Sequence, residues 1–178
     1  MAAILALAAG CVGAPGAGIP PASPGSTTRV TDSAGRVVEV PERVDRIACL
    51  YAFSGHVVAM LGRGDSIVAV VQGLKRDILL NEMVPTIRDA SVPYATDSIN
   101  IEELAKSKPD LIFIQLSAYQ DEREREKLDK LKVPYFVVDL ESIDAQVSTI
   151  EMMGKAIGRE EEAKKYTTYY QNALARVA

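Results

Sequence analysis

Three short stretches carry the side chains best suited to hold a small molecule. Tyr51-Ala-Phe-Ser-Gly-His56 groups a phenol, an aromatic face, a hydroxyl and an imidazole, so Tyr51, Phe53, Ser54 and His56 are candidate contacts. Gly73-Leu-Lys-Arg76 offers close approach to the main chain at Gly73 and two cations, Lys75 and Arg76. Ser117-Ala-Tyr119 adds another hydroxyl and another phenol, Ser117 and Tyr119. Arginine presents a planar fork to carboxylate-like oxygens and lysine a point charge, so Lys75 and Arg76 are first choice for an anionic group. A tyrosine stacks on a flat ligand or, as phenolate, supplies the hard oxygen that ferric iron prefers. Bland alternatives stay open beside each. Lys75 and Arg76 also read as solvated charges on a surface helix with Asp77, and Tyr51 and His56 as packing residues. Cys49, inside an apolar run, reads as a buried small hydrophobe.

Enzymatic patterns are missing from the sequence. It contains no nucleophile elbow, no Gly-rich phosphate loop and no Cys/His cluster, so no catalytic residue is assigned. A bare zinc or manganese site gathers several His and carboxylate ligands, and a single histidine argues against one. Lys and Arg total 20 against 24 Asp and Glu, a net charge of −4 that disfavours a nucleic-acid partner. The absence of Trp and the 6% aromatic content remove the stacking platforms of a single-strand or carbohydrate binder.

These residues need elements to position them, and the hydrophobic pattern supplies a set. With 178 residues, 48% of them apolar, the chain has enough material for one core. From Val44 onward, apolar runs of about five residues alternate with amphipathic stretches, the pattern of parallel strands joined by crossover helices. Strands are expected at 46–50, 67–71, 111–116 and 135–139, and the candidate residues follow directly after the first three. In an open α/β sheet, ligands lie outside the carboxyl ends of the strands. Ser54 is expected to cap a helix running through Leu61 and ended by Gly62. Asn100-Ile-Glu-Glu103 has the form of a capping box, with Glu103 reaching back to Asn100. Residues 121–131 form a surface helix with ion pairs Asp121–Arg125 and Glu126–Lys130. Ile143, Val147, Ile150 and Ile157 predict a long amphipathic helix capped by Gly158, and a helical pattern restarts at 160–176.

Upstream of the sheet, Arg29-Val-Thr-Asp and Arg36-Val-Val-Glu-Val40 flank a Gly35 turn and predict a β-hairpin. Residues 12–28, rich in Gly, Ala, Pro, Ser and Thr, read as a flexible tether. Residues 1–11 read as a leader, its apolar run ending in Leu7-Ala-Ala-Gly-Cys11. That segment resembles the bacterial lipobox, which makes Cys11 the expected lipidation site, although no Lys or Arg precedes the run.

The ordered set of motifs resembles a known family. The opening hairpin 30–41, Arg43-Val-Asp-Arg-Ile47, Asn100-Ile-Glu102 and Lys108-Pro-Asp-Leu-Ile112 occur as in the helical-backbone, or class III, solute-binding proteins of ABC importers. That family handles iron-siderophores, haem and cobalamin. The resemblance spans residues 29 to 178 and implies a Rossmann-like α/β lobe, with parallel sheet and flanking helices, at 29–141. A β-hairpin precedes it, and residues 142–178 carry the long interlobe helix and the start of a second lobe lying outside this chain. It implies an extracytoplasmic protein, periplasmic or anchored only by lipid. Its expected partners are an ABC permease and a metal chelate bound as cargo, with no intrinsic cofactor. By the same resemblance, Glu102 docks with the permease; read from sequence alone, it is a first-turn carboxylate facing the helix dipole. A chelatase-like enzyme and a non-transport interaction lobe stand as alternative functions.

Overall fold

The computed structural model describes residues 27–95 and 98–176. The expected leader and Cys11, and all of the expected tether but Thr27 and Thr28, lie outside them. Strands β1 (Thr27–Thr31) and β2 (Val37–Pro41) pair antiparallel as the predicted hairpin, with Gly35 in its turn at φ +76°. A six-stranded sheet follows. It comprises β3 (Ile47–Cys49), β4 (Ile67–Val71), β5 (Ser91–Ala95), β6 (Ser98–Ile99), β7 (Leu111–Gln115) and β8 (Tyr135–Val138) in the order β6-β5-β4-β3-β7-β8. All pairings are parallel except that of β5 with β6.

Alternation along the strands sends side chains into two cores. Ile47, Cys49, Leu111, Phe113, Phe136 and Val138 pack on one face, and Ala48, Leu50, Ile112, Ile114, Tyr135 and Val137 on the other. Because both faces are covered, these strands read as continuous apolar runs in the sequence. The first face is roofed by α1 (Ala52–Val58), α2 (Gln72–Arg76), α3 (Ile78–Met83) and α7 (Ile143–Ala156). The second is covered by α4 (Ile101–Lys106), α5 (Leu116–Gln120) and α6 (Glu122–Leu131). The arrangement is the Rossmann-like lobe that the resemblance implied.

Several local expectations are corrected. Ser54 does not cap α1: Tyr51 stands at the N-cap, and Ser54 lies inside the helix, donating its hydroxyl to the Tyr51 carbonyl at 2.7 Å. The helical run past Val58 breaks at Gly62, which takes φ +78°, the stop that the sequence predicts. Only half of the capping box forms. Asn100 Oδ1 accepts from Glu103 N at 3.1 Å, but Glu103 reaches across to accept from Val92 N of β5, also at 3.1 Å. On α6, Asp121 caps the helix by accepting from Arg123 N instead of pairing with Arg125. The helix is anchored by buried Glu124, which accepts from Ile99 N at 2.7 Å and pairs with Lys127.

Two tie points set the register of the lobe. At the amino ends of β3 and β7, Asp110 Oδ2 accepts from Asp45 N and Arg46 N, both at 2.9 Å, while the Arg46 guanidinium donates to the carbonyls of Ser107 and Lys108. The Lys108-Pro-Asp110 motif is therefore a clamp at the amino end of the sheet, opposite the loops that leave the strands' carboxyl ends. At the β8 margin, the hairpin turn docks on the strand. Ser33 N donates to Val137 O, Val137 N donates to Asp32 Oδ2, and Arg36 Nη2 donates to Tyr135 O.

Helix α7 descends from the carboxyl end of β8, and Gly158 (φ +65°) turns the chain into α8 (Glu160–Leu174), which packs back along it. The close approach is made at Gly154, where a Cβ would collide with the Ala163 methyl and stand 2.9 Å from the Arg159 carbonyl. Among the described residues, no helix is long and apolar enough to cross a membrane.

Candidate functional site

The strand order reverses once. From β3 the chain winds outward through β4 and β5, then returns to β7 on the other side of β3 and winds on to β8. The loops leaving β3 and β7 therefore diverge, opening a crevice at their carboxyl ends, the place where open α/β sheets bind ligands.

A cavity of about 370 Å³ occupies that place, lined by Tyr51 after β3, by Gln115, Leu116, Ser117 and Gln120 at β7 and α5, by Val138 at the end of β8, and by Asp139, Leu140 and Glu141 after it. Of the sequence candidates, Tyr51 and Ser117 stand on its wall. Gln115, Gln120, Asp139 and Glu141 were missed. Gln115, Asp139 and Glu141 lie at or just beyond the end of an apolar strand, which is the only signal that marks them, and Gln120 ends the short helix α5. Asp139 is held from several sides. Its carboxylate accepts from Glu141 N at 3.3 Å, and its carbonyl accepts from the buried Thr149 hydroxyl of α7, which in turn meets Ser33 Oγ of the hairpin turn at 3.2 Å.

The remaining candidates are dispersed. Phe53 packs against the first core, its ring 6.4 Å from that of Tyr51. Ser54 is fully buried and offers no surface to a ligand. Gly73, Lys75 and Arg76 lie on α2, after β4, with Gly73 and Arg76 exposed and Lys75 half-buried. Among the described residues, neither Lys75 nor Arg76 makes an ion pair. Tyr119 turns away from the cavity toward the hairpin. Arg36 sits 4.6 Å from its ring centre and 4.3 Å from that of Tyr135, so the Tyr119 face is taken by an internal cation. Glu102 is exposed in the first turn of α4.

His56 faces neither the cavity nor solvent alone. Nδ1 lies 3.0 Å from the Ala52 carbonyl and Nε2 2.9 Å from Asp77 Oδ2, so the ring bridges α1 to the cap of α3. Asp77 Oδ1 accepts from Leu80 N at 2.8 Å. That backbone donor, followed by the His56 hydrogen bond, holds the Asp77 carboxyl below its ordinary range. The pair rims a second, mostly apolar cavity of about 470 Å³ among α1, α3, α7 and α8. Cys49 is fully buried, and burial pushes its thiol up to about 12. Among the described residues, no group of three or more His, Cys, Asp or Glu side chains is placed to hold a metal ion.

Comparison with known proteins gives concordant matches. Residues 47–178 match the family described as Periplasmic binding protein. The molybdate-binding protein MolA of Haemophilus influenzae is 24% identical over 113 residues, which are 62% of this chain and 32% of MolA. Its structure with bound molybdate superposes with a TM-score of 0.71 at 18% identity, covering 79% of this chain and 49% of the other. A periplasmic solute binding protein from Veillonella parvula gives a TM-score of 0.75 at 22% identity, covering 85% and 47%. Staphylococcus aureus SirA, solved with staphyloferrin B, gives 0.66 at 25% identity, covering 84% and 48%. The chain thus spans about half the length of these structures and a third of the curated relative.

Proposed function

The chain belongs to the periplasmic binding protein family, and from that premise we propose that it serves in solute capture outside the membrane for an ABC importer. The observation that carries the reading is the cavity at the switch point between β3 and β7, walled by Tyr51, Ser117 and the acidic β8 loop. The solute is a metal chelate such as an iron-siderophore, haem or cobalamin, or a metal oxyanion. The molybdate bound by MolA and the staphyloferrin B bound by SirA support that range. The solute is cargo rather than resident cofactor, and the family match and its relatives favour binding over catalysis.

In this reading Tyr51 and Ser117 contact the solute, Lys75 and Arg76 face its anionic side from α2, and a second lobe closes the cleft. Exposed Glu102 docks on the permease, and Cys11 anchors the protein through lipid. Titration of the chain with molybdate, a ferric hydroxamate, haem and cobalamin, followed by calorimetry, tests the central claim. Saturable binding of at least one solute, weakened tenfold or more by Tyr51→Ala, is expected. Absence of saturable binding across the set would overturn it.

A further inference from the structure

The carboxyl edge of the sheet is electrically graded. Lys75 and Arg76 follow β4, Tyr51 follows β3, amide and hydroxyl groups follow β7, and Asp139 and Glu141 follow β8. β4 and β8 stand three strand positions apart, about 14 Å at the usual strand spacing. No Lys, Arg or His lines the cavity itself. Its polar wall consists of two carboxylates, two carboxamides, a serine hydroxyl and a phenol. Neither Asp139 nor Glu141 has an ion-pair partner among the described residues. Carboxylates and amide oxygens accept from an N–H⁺ donor, and an aromatic face attracts a cation electrostatically.

We infer that this cavity takes an ammonium-bearing arm of the solute. Asp139 and Glu141 select the charge, the Tyr51 ring flanks it, and any anionic portion is directed toward Lys75 and Arg76. The inference rests on the solute-binding reading and narrows its range, from chelates and oxyanions in general to a dipolar chelate held in a single orientation. A wholly anionic solute would place negative charge against two carboxylates in this cavity and is disfavoured there.

The test uses two probes that differ by one charge: a ferric trihydroxamate with a free primary ammonium, and the same chelate acetylated on that nitrogen. Calorimetry at neutral pH and low salt should show the ammonium form binding tenfold or more tighter to the chain. In the Asp139→Asn/Glu141→Gln double variant, the ratio should fall to near one. Glu141→Gln alone, at an exposed position, should lower the ratio and preserves the test if the double variant does not fold. Equal affinity of the two probes for the unaltered chain, or an unchanged ratio in the variants, would overturn the inference while leaving chelate binding standing. Binding of neither probe by the folded chain would remove the chelate reading, and this inference with it.

Discussion

The carboxylate of Asp32 accepts the main-chain N–H of Val137 at 3.1 Å, joining the hairpin turn to the last strand across 105 positions of sequence. The same side chain accepts from Ala34 N, Arg36 N and the Arg36 guanidinium, and it is fully buried. Asp32→Ala would leave these donors unpaired beneath the turn. Breaking such a network costs about 3 to 5 kcal/mol, so the urea midpoint should drop sharply. A drop of the size seen for an ordinary surface substitution would argue against the network.

Gly154→Ala should destabilise the fold even though alanine is the better helix former by roughly 1 kcal/mol. The added methyl meets Ala163 and the Arg159 carbonyl, and overpacking of this kind costs about 1 to 3 kcal/mol. The sign of the change in thermal midpoint decides between propensity and contact.

Acidification should release a contribution from Asp77. Its folded-state value is lowered, first by the Leu80 backbone donor and then by His56. The stabilisation is therefore present above the ordinary value of 3.8 and is lost as pH falls through the lowered one. Asp77→Asn keeps a capping side chain but cannot titrate. Its denaturation midpoint should change less than that of the unaltered chain between about pH 5 and pH 2.

Cys49 should resist alkylation in the folded protein. A thiol pushed up from 9.0 to about 12 carries roughly a thousandfold less thiolate near pH 8, and the side chain has no exposed surface. Peptide mapping after iodoacetamide should show Cys49 unmodified under native conditions and modified in denaturant. Rapid native labelling would refute the burial.

Four of the six strands were legible because β3, β4, β7 and β8 are apolar on both faces, with Gly or polar residues around them. Their order was not. Strand sequence carries no trace of which neighbour lies on which side, so the switch point that opens the cavity emerged only in three dimensions. β5 contains Pro93 and β6 has two residues, and neither yields an alternating or continuous apolar signal. Residues 121–131 were expected as a surface helix, and the burial of Glu124 against the Ile99 amide depends on the sheet beneath it. At the cavity, Tyr51 and Ser117 could be named from their place after predicted strands. Asp139 and Glu141 have the composition of an ordinary turn, and Tyr119 was claimed by a cation 83 positions upstream, Arg36.

The docking of the hairpin turn on β8 also bears on how the protein meets copies of itself. An unpaired strand margin is a template for another chain. Here the Tyr135 carbonyl, the Val137 amide and the Val137 carbonyl are already engaged by residues 32–36. At the opposite margin, β6 offers only two residues and is held from one side by Glu124 and Lys127. A sheet of six strands is thus left with little length on which fibrillar stacking could nucleate.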